Sequence, residues 1–397
     1  MANSKILQFP TAAREDTSGR RLIPGRLKEA RLAAKLNQAE LAREVGIQRQ
    51  NISYYEQGDR NPEPGTLSDL AKALGQPVRY FLSEPADTFG PQSVNFFRKV
   101  GADTKRRNDA CAVFASWYAQ TARVFDPQVN FPEVDLPSFE PSDSEAMRYE
   151  DEEIESIAES VREHFGLGFG PISNVIRLLE KQGILVTKFQ MPGEQVEAFS
   201  FWSGARPFVF LASDKESAVR ARFDAAHELG HLVLHRWIGA EDIEDKKRLA
   251  EIEKEANRFA GAFLLPRKTF PNEVYSPRVE GFVDLKYRWK VAIQAMVYRC
   301  KDLGIFDEHQ ITNLYKQISY KKWRKKEPGD GPDGIEAERP LLLNRVAELV
   351  LDSGRMTKSD LKSKLAISSE IIERFLSLPA GSLADDQIEP FEPTLKS

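Results

Sequence analysis

The chain has 397 residues, more than one ordinary core accommodates and enough for two or three domains. Its hydrophobic fraction of 41% and charged fraction of 29% are those of folded soluble domains; no apolar run approaches the ~20 residues of a membrane span, and the N-terminus lacks the apolar core of a secretory signal. The two cysteines, Cys111 and Cys300, lie far apart and outside any C-x-x-C, which argues against a disulfide framework and fits a reducing cytoplasm. The net charge of −4 conceals a basic stretch: residues 20–60 carry nine Lys/Arg against five Asp/Glu, the local asymmetry of a nucleic-acid contact on an otherwise acidic chain.

In chain order, residues 1–20 read as a tail, and 21–83 as short helices with tight Gly and Pro punctuation. Residues 84–149 read as a linker and connecting helix: EPADTFGPQS (84–93), a helical stretch at 105–125, then a proline-rich acidic connection at 126–144. Helical periodicity resumes over 150–182, broken by GLGFGP. Three aromatic or β-branched runs, ILVTKFQ (184–190), EAFSFW (197–202) and PFVFLA (207–212), predict strands. Helices are expected at 215–236, 242–265, 289–302 and 310–326, with helix-turn-helix spacing over 289–306. EPGDGPDG (327–334) reads as a linker, and 338–378 as helices, so 327–397 is expected to be a linker with an accessory helical module. Thr357 is a plausible N-cap and 366–368 a turn there. No 20–50-residue repeat appears. The pattern is multidomain: an all-α N-terminal domain, an α+β domain over 150–326 with a small sheet, and a small helical C-terminal module.

The stretch NQAELAREVGIQRQNISYYEQGDRNP (37–62) has an apolar helical stripe in Ala39, Leu41, Ala42 and Val45. Gly46 follows where a helix end needs positive φ, then a second short helix over 48–56 closed by Gly58. It resembles the DNA-binding domain of lambdoid phage repressors and the wider Xre group. The resemblance implies that the 48–56 helix lies in the major groove of a double-stranded operator, with Gln48, Arg49, Gln50, Asn51 and Tyr54 on the reading side. Arg49 suits guanine and Gln50 adenine, each by paired hydrogen bonds. Asn37 and Gln38 begin the preceding helix, where amide donors reach a phosphate. Arg31 and Glu56 match an internal ion pair of that group. Domains of this kind bind inverted half-sites as homodimers.

HELGHLVLH (227–235) holds three of the five histidines. His227 and His231 stand one helical turn apart on the rim of an apolar stripe and can share one zinc. Glu228 points to an adjacent face, from which it reaches a water at the metal as a base without ligating. His235 lies about 12 Å along the axis from His227, too far to share the ion, and is expected in the core or behind the ligands. A third ligand must come from elsewhere. In LAEIEKEANRFAGAF (249–263), Glu253 and Glu255 flank the apolar stripe on opposite sides and Glu251 sits further out; periodicity does not choose between Glu253 and Glu255.

RxRFxxAHELGHLxLH followed by ExEANRFAxxxLxP resembles the ImmA/IrrE family of zinc metallopeptidases, and GPISNVIRLLEKQGILV and WKVAIQAMVYRCKDLGI extend the likeness over roughly 150–325. The resemblance implies a zincin-like fold and, as third ligand, the acidic residue just before Ala-Asn, here Glu255. The expected set is then zinc on His227, His231 and Glu255 with Glu228 as general base. It also implies that the 207–212 strand lies beside the zinc helix and pairs along its edge with an extended peptide. Tyr287, Tyr298 and His235 are the oxyanion candidates, each expected to be core. The implied activity is cleavage of a repressor-like or antitoxin-like protein in a stress or mobile-element response. The alternative is a non-proteolytic regulator or antitoxin that uses the same fold for sensing or docking.

Overall fold

The computed structural model describes residues 21–90, 92–93, 104–143, 147–189, 198–212, 217–331 and 333–384. They fall into two compact units, one reaching to Glu84 (apart from Leu32–Lys35) and one beginning at Pro85.

The first unit is helical: α1 (Pro24–Ala33), α2 (Gln38–Val45), α3 (Arg49–Gln57), α4 (Pro64–Ala73) and a 3-10 turn over Val78–Leu82. Asn37 caps α2 by accepting from the Glu40 N–H while the Glu40 side chain returns to the Asn37 N–H. Gly46, at φ 74°, ends α2 in the left-handed conformation and lets α3 turn away. Leu27, Leu41, Ile52, Leu70 and Phe81 close the core.

The second unit is built around a three-stranded sheet of β1 (Leu185–Phe189), β2 (Ala198–Ser203) and β3 (Arg206–Ala212), in the order β1-β3-β2. β1 runs parallel to β3 and β2 antiparallel. Strand alternation splits its side chains between two helical layers. On one face Phe199 stacks on its cross-strand partner Phe210 at 4.6 Å and Phe201 on Phe208 at 4.9 Å. On the other, Val186, Ala198, Trp202, Val209 and Leu211 share a core with α8 (Ala218–Leu234) through Ala225, Ala226 and Leu229.

The remaining helices are α5 (Thr104–Phe125), α6 (Asp151–His164), α7 (Val175–Lys181), α9 (Ala240–Glu244), α10 (Lys246–Leu264), α11 (Gly281–Trp289), α12 (Ile293–Asp302), α13 (Glu308–Tyr320), α14 (Leu342–Asp352), α15 (Lys358–Leu365) and α16 (Ser369–Phe375). The 289–306 stretch is the α11–α12 corner: Trp289, Val291, Ile293, Met296 and Val297 are all buried in the same core as α8 and α10. Arg299 is buried against Glu155, with Nη2 2.7 Å from Oε2. Thr357 does cap α15, accepting from the Asp360 N–H.

Two sequence expectations need correction. The described residues of 85–149 and 327–397 belong to the same compact unit as the sheet. Tyr118 of α5 packs edge-on to Phe208 and Phe210, and Phe375 of α16 meets Phe189, Phe210 and Tyr118, so α5 and α16 cover the aromatic face of the sheet. The supposed linker is tied in by buried carboxylates. Glu327 accepts from the Ile293 and Gln294 N–H groups at the start of α12 and from Lys286 Nζ. Glu338 accepts from the Val175 and Ile176 N–H groups of α7 and pairs with buried Arg222. Each carboxylate satisfies helix N-terminal donors that would otherwise be orphaned.

Candidate metal centre

Helices α8 and α10 pack in close contact because Gly230 has no Cβ. One added there would lie 3.1 Å from Phe259 Cδ1 and 3.3 Å from the Ala256 carbonyl oxygen. This approach brings one flank of α10 against the HELGH turn. His227 Nε2 and His231 Nε2 are 2.9 Å apart, and Glu253 reaches them with Oε2 at 3.4 Å and Oε1 at 3.5 Å respectively. Both histidines are 1% exposed. These three are the described residues whose ligand atoms cluster closely enough to hold a metal ion.

The structure brings a different glutamate to the histidines from the one the resemblance implied. Glu255 lies on the opposite flank of α10, where Oε2 accepts from His235 Nε2 at 2.8 Å and Oε1 faces Arg248 Nη1 at 3.2 Å. Glu253 lies one turn before Asn257, whose Oδ1 is 3.1 Å from His227 Nδ1, so both face the imidazoles. That (i, i+4) relation was the available sequence signal for Glu253; the outer roles of Asn257 and Arg248 carried none. Of the other expected residues, Glu228 is buried at 1% exposure in the same helical turn, and its carbonyl oxygen receives the Ser200 hydroxyl at 3.5 Å. His235 ends α8 with Nδ1 3.0 Å from His231 Nδ1, behind the ligand pair.

Hydrogen-bond roles test whether a cation fits. The Glu255 carboxylate only accepts, so His235 presents Nε2–H to it. Burial, against the opposing pull of Glu255, pushes the His235 pKa down to about 4, so the ring is neutral at pH 7 and its Nδ1 is a bare acceptor. His231 must then donate from Nδ1, and its Nε2 is bare. His227, donating from Nδ1 to Asn257, likewise turns a bare Nε2 inward. Two lone pairs 2.9 Å apart repel unless something positive lies between them. Glu253 adds a buried oxygen, Oε1, without a hydrogen-bond donor. The donor set of two imidazoles and one carboxylate suits zinc.

A cleft of about 390 Å³ opens beside Glu253 and Asn257, walled by Phe223, Ala250 and Ala295 with Tyr298 and Asp302 further along. Tyr298 and Tyr287, expected in the core, are 48% and 51% exposed. The 207–212 strand also departs from expectation. β3 is the central strand, paired on both sides, and has no free edge for a peptide.

In the first unit, Gln48, Arg49 and Gln50 are exposed at the start of α3, and Asn51 and Tyr54 are half-buried. Gln50 Nε2 donates to the Tyr54 hydroxyl at 2.6 Å, and the Arg60 guanidinium lies over the Tyr54 ring. Arg31 makes a paired ion bridge to Glu56 at 2.6 and 3.0 Å. Gln38 Nε2 donates to the same carboxylate at 2.9 Å, which leaves its other N–H for a phosphate.

Comparison with known proteins matches both units. Residues 27–81 fit the family model described as helix-turn-helix, and residues 179–301 that of the IrrE N-terminal-like domain. The second span contains the sheet, α8, α10 and all three clustered donors. The chain is 41% identical over 59 residues, 15% of its length, to an uncharacterized transcriptional regulator in the ATPase CF(0) region of Rhodospirillum rubrum. It spans about half of that relative, 55%. Two different family models, helix-turn-helix and IrrE N-terminal-like domain, thus match successive parts of one chain. No helix among the described residues is long and apolar enough to cross a membrane.

Proposed function

We propose that the chain is a DNA-binding transcriptional regulator whose second unit is a zinc-dependent endopeptidase acting on a selected protein in the cytoplasm. The observation that carries the peptidase reading is the convergence of His227, His231 and Glu253 on one point, with Glu228 in the same helical turn. A donor set of three protein side chains would suit a catalytic rather than a structural zinc. His227, His231 and Glu253 would hold zinc, which would supply Lewis acidity for peptide hydrolysis. Glu228 takes the proton of the attacking water and delivers it to the leaving amine. Asn257 holds the His227 ring in the tautomer that turns Nε2 inward. The cleft between α8, α10 and α12 receives a substrate side chain next to the scissile bond, against the apolar walls of Phe223, Ala250 and Ala295.

On the regulatory side, α3 enters the major groove, where Arg49 reads guanine and Gln50 adenine, with Gln48, Asn51 and Tyr54 beside them and Gln38 on the backbone. Two copies bind an inverted repeat. The protein cut is a repressor-like or antitoxin-like partner, in a stress or mobile-element response. The burial of His227, Glu228 and His231 favours a second reading, in which the metal domain senses or docks a partner and does not cut.

Glu228→Gln separates the two. The variant should bind zinc and operator DNA as wild type does, and comparison of the proteomes of cells carrying each form should reveal a fragment that requires Glu228. Equal regulation by both forms, with no Glu228-dependent fragment, rules out the endopeptidase and leaves the docking regulator.

A further inference from the structure

We infer that His235, Glu255 and Arg248 form an outer relay that fixes the tautomer and ring orientation of His231, and that Glu255 sets the metal affinity of the site without touching the ion. The inference rests on the reading that His227, His231 and Glu253 hold the metal. Its basis is a directional chain of hydrogen bonds. Arg248 Nη1 faces Glu255 Oε1 at 3.2 Å; Glu255 Oε2 accepts from His235 Nε2 at 2.8 Å; His235 Nδ1 accepts from His231 Nδ1 at 3.0 Å. The first two links have one permitted sense, because guanidinium only donates and carboxylate only accepts, and in a singly protonated His235 the proton on Nε2 leaves Nδ1 to accept from His231. The chain therefore forces the proton of His231 onto Nδ1 and leaves Nε2 bare on the metal side.

The relay is also rigid. Arg248 and Glu255 side chains are 8% and 9% exposed and that of His235 is fully buried. The Tyr149 ring meets His235 edge-on, centroids 6.3 Å apart, and its single hydroxyl proton lies within reach of the carbonyls of Leu234 at 2.8 Å and Phe139 at 2.9 Å. The two ligand histidines are consequently supported unequally: His227 leans on the neutral amide of Asn257, whereas His231 leans on a chain ending in a carboxylate clamped by arginine. A negative charge two bonds removed makes His231 the stronger donor and adds no fourth ligand to the open position.

The test is zinc affinity of the full chain, measured by competition with a chromogenic chelator, together with the cobalt(II) absorption spectrum and the melting temperature of the metal-free protein. Glu255→Ala and His235→Ala should each weaken zinc about 10- to 100-fold. Glu255→Gln keeps an acceptor oxygen for His235 but loses the charge, so it should recover only part of that loss, with a cobalt spectrum shifted from wild type. Glu253→Ala should lose more than any relay variant. If His235→Ala does not fold, the contrast between Glu255→Ala and Glu255→Gln decides, read on variants whose metal-free melting matches wild type. Wild-type affinity in Glu255→Ala overturns the relay, as does a loss equal to that of Glu253→Ala, which makes Glu255 a ligand. A wild-type chain that binds no zinc fails earlier and overturns the metal reading itself.

Discussion

The two units handle their functional side chains in opposite ways. In the helix-turn-helix unit, Gln48, Arg49 and Gln50 stand exposed at the start of a nine-residue helix, while the Arg31–Glu56 ion pair is buried. In the metal unit the chemistry itself is buried: His227, Glu228 and His231 are each 1% exposed, and a second layer of Asn257, His235 and Glu255 stands behind them. A DNA reader must give up its water to a base edge, so it waits in solvent and its removal costs folding little. A metal ligand must be held in one geometry before the ion arrives, so its supports are part of the fold. Substitutions in the first unit should therefore change binding without changing stability, and substitutions in the second should couple the two.

The largest effect that tests this separation is on DNA. Arg49→Ala combined with Gln50→Ala removes two base-reading contacts, each worth about 1–3 kcal/mol of discrimination. Gel retardation with the chain's own promoter fragment should show specific affinity falling by at least tens of fold, with thermal melting and zinc affinity unchanged. Arg49 should account for more of the loss, because the Gln50 amide already donates to the Tyr54 hydroxyl and must reorient on the DNA. Undiminished retardation would place the reading surface elsewhere than α3.

This contrast also explains how much was legible in the sequence. The reading helix could be found because everything it needs lies in one short stretch from Asn37 to Gly58: the Asn37 cap, Gly46, the apolar Leu41 and Ile52, and Gly58. The pair of histidines was legible for the same reason, being one turn apart on one helix. The third donor was not, because it depends on the relative rotation of α8 and α10, which is set by Gly230 against Ala256 and Phe259. Periodicity placed Glu253 and Glu255 on opposite flanks without saying which flank faces the histidines, and resemblance pointed to Glu255 whereas the fold turns Glu253 towards them. Glu327 and Glu338 were illegible more completely. Their partners at the starts of α12 and α7 are tens to more than a hundred residues away, and a carboxylate in a Gly-Pro-rich stretch reads as solvated until the helix end it caps is in view.

A smaller effect sharpens the claim that the metal site and the fold are one structure. Gly230→Ala adds a methyl group against Phe259 Cδ1 and the Ala256 carbonyl, both closer than ordinary contact. Such overpacking costs about 1–3 kcal/mol, and alanine recovers about 1 kcal/mol of helix propensity. A net loss of about 1 kcal/mol is expected in thermal melting of the metal-free chain. Zinc affinity should fall with it, since the backbone of α10 that must yield is the one carrying Glu253 and Asn257. A variant that melts higher than wild type and keeps its zinc would mean that the contact between α8 and α10 has slack, and that Gly230 does not set the position of Glu253.

The smallest effect expected is none at all, and it distinguishes catalytic from structural metal. Cys300 lies in α12, the helix that also supplies Ala295 and Tyr298 to the cleft, and it is fully buried. Burial pushes its thiol up to about 12, with only Arg299 pulling the other way. At pH 8 the thiolate fraction is then on the order of one in ten thousand, and iodoacetamide should not modify it in the native chain. A structural zinc site supplies folding energy outright, so its removal should loosen α8, α10 and α12 and expose Cys300. A catalytic site is held by the protein instead. The core around α8 and α10 is extensive, and the relay of Arg248, Glu255 and His235 is closed without the ion. Cys300 should therefore remain unreactive, by mass spectrometry, in both zinc-loaded and chelator-treated protein. Rapid alkylation after chelation alone would reverse the assignment and make the metal a part of the fold.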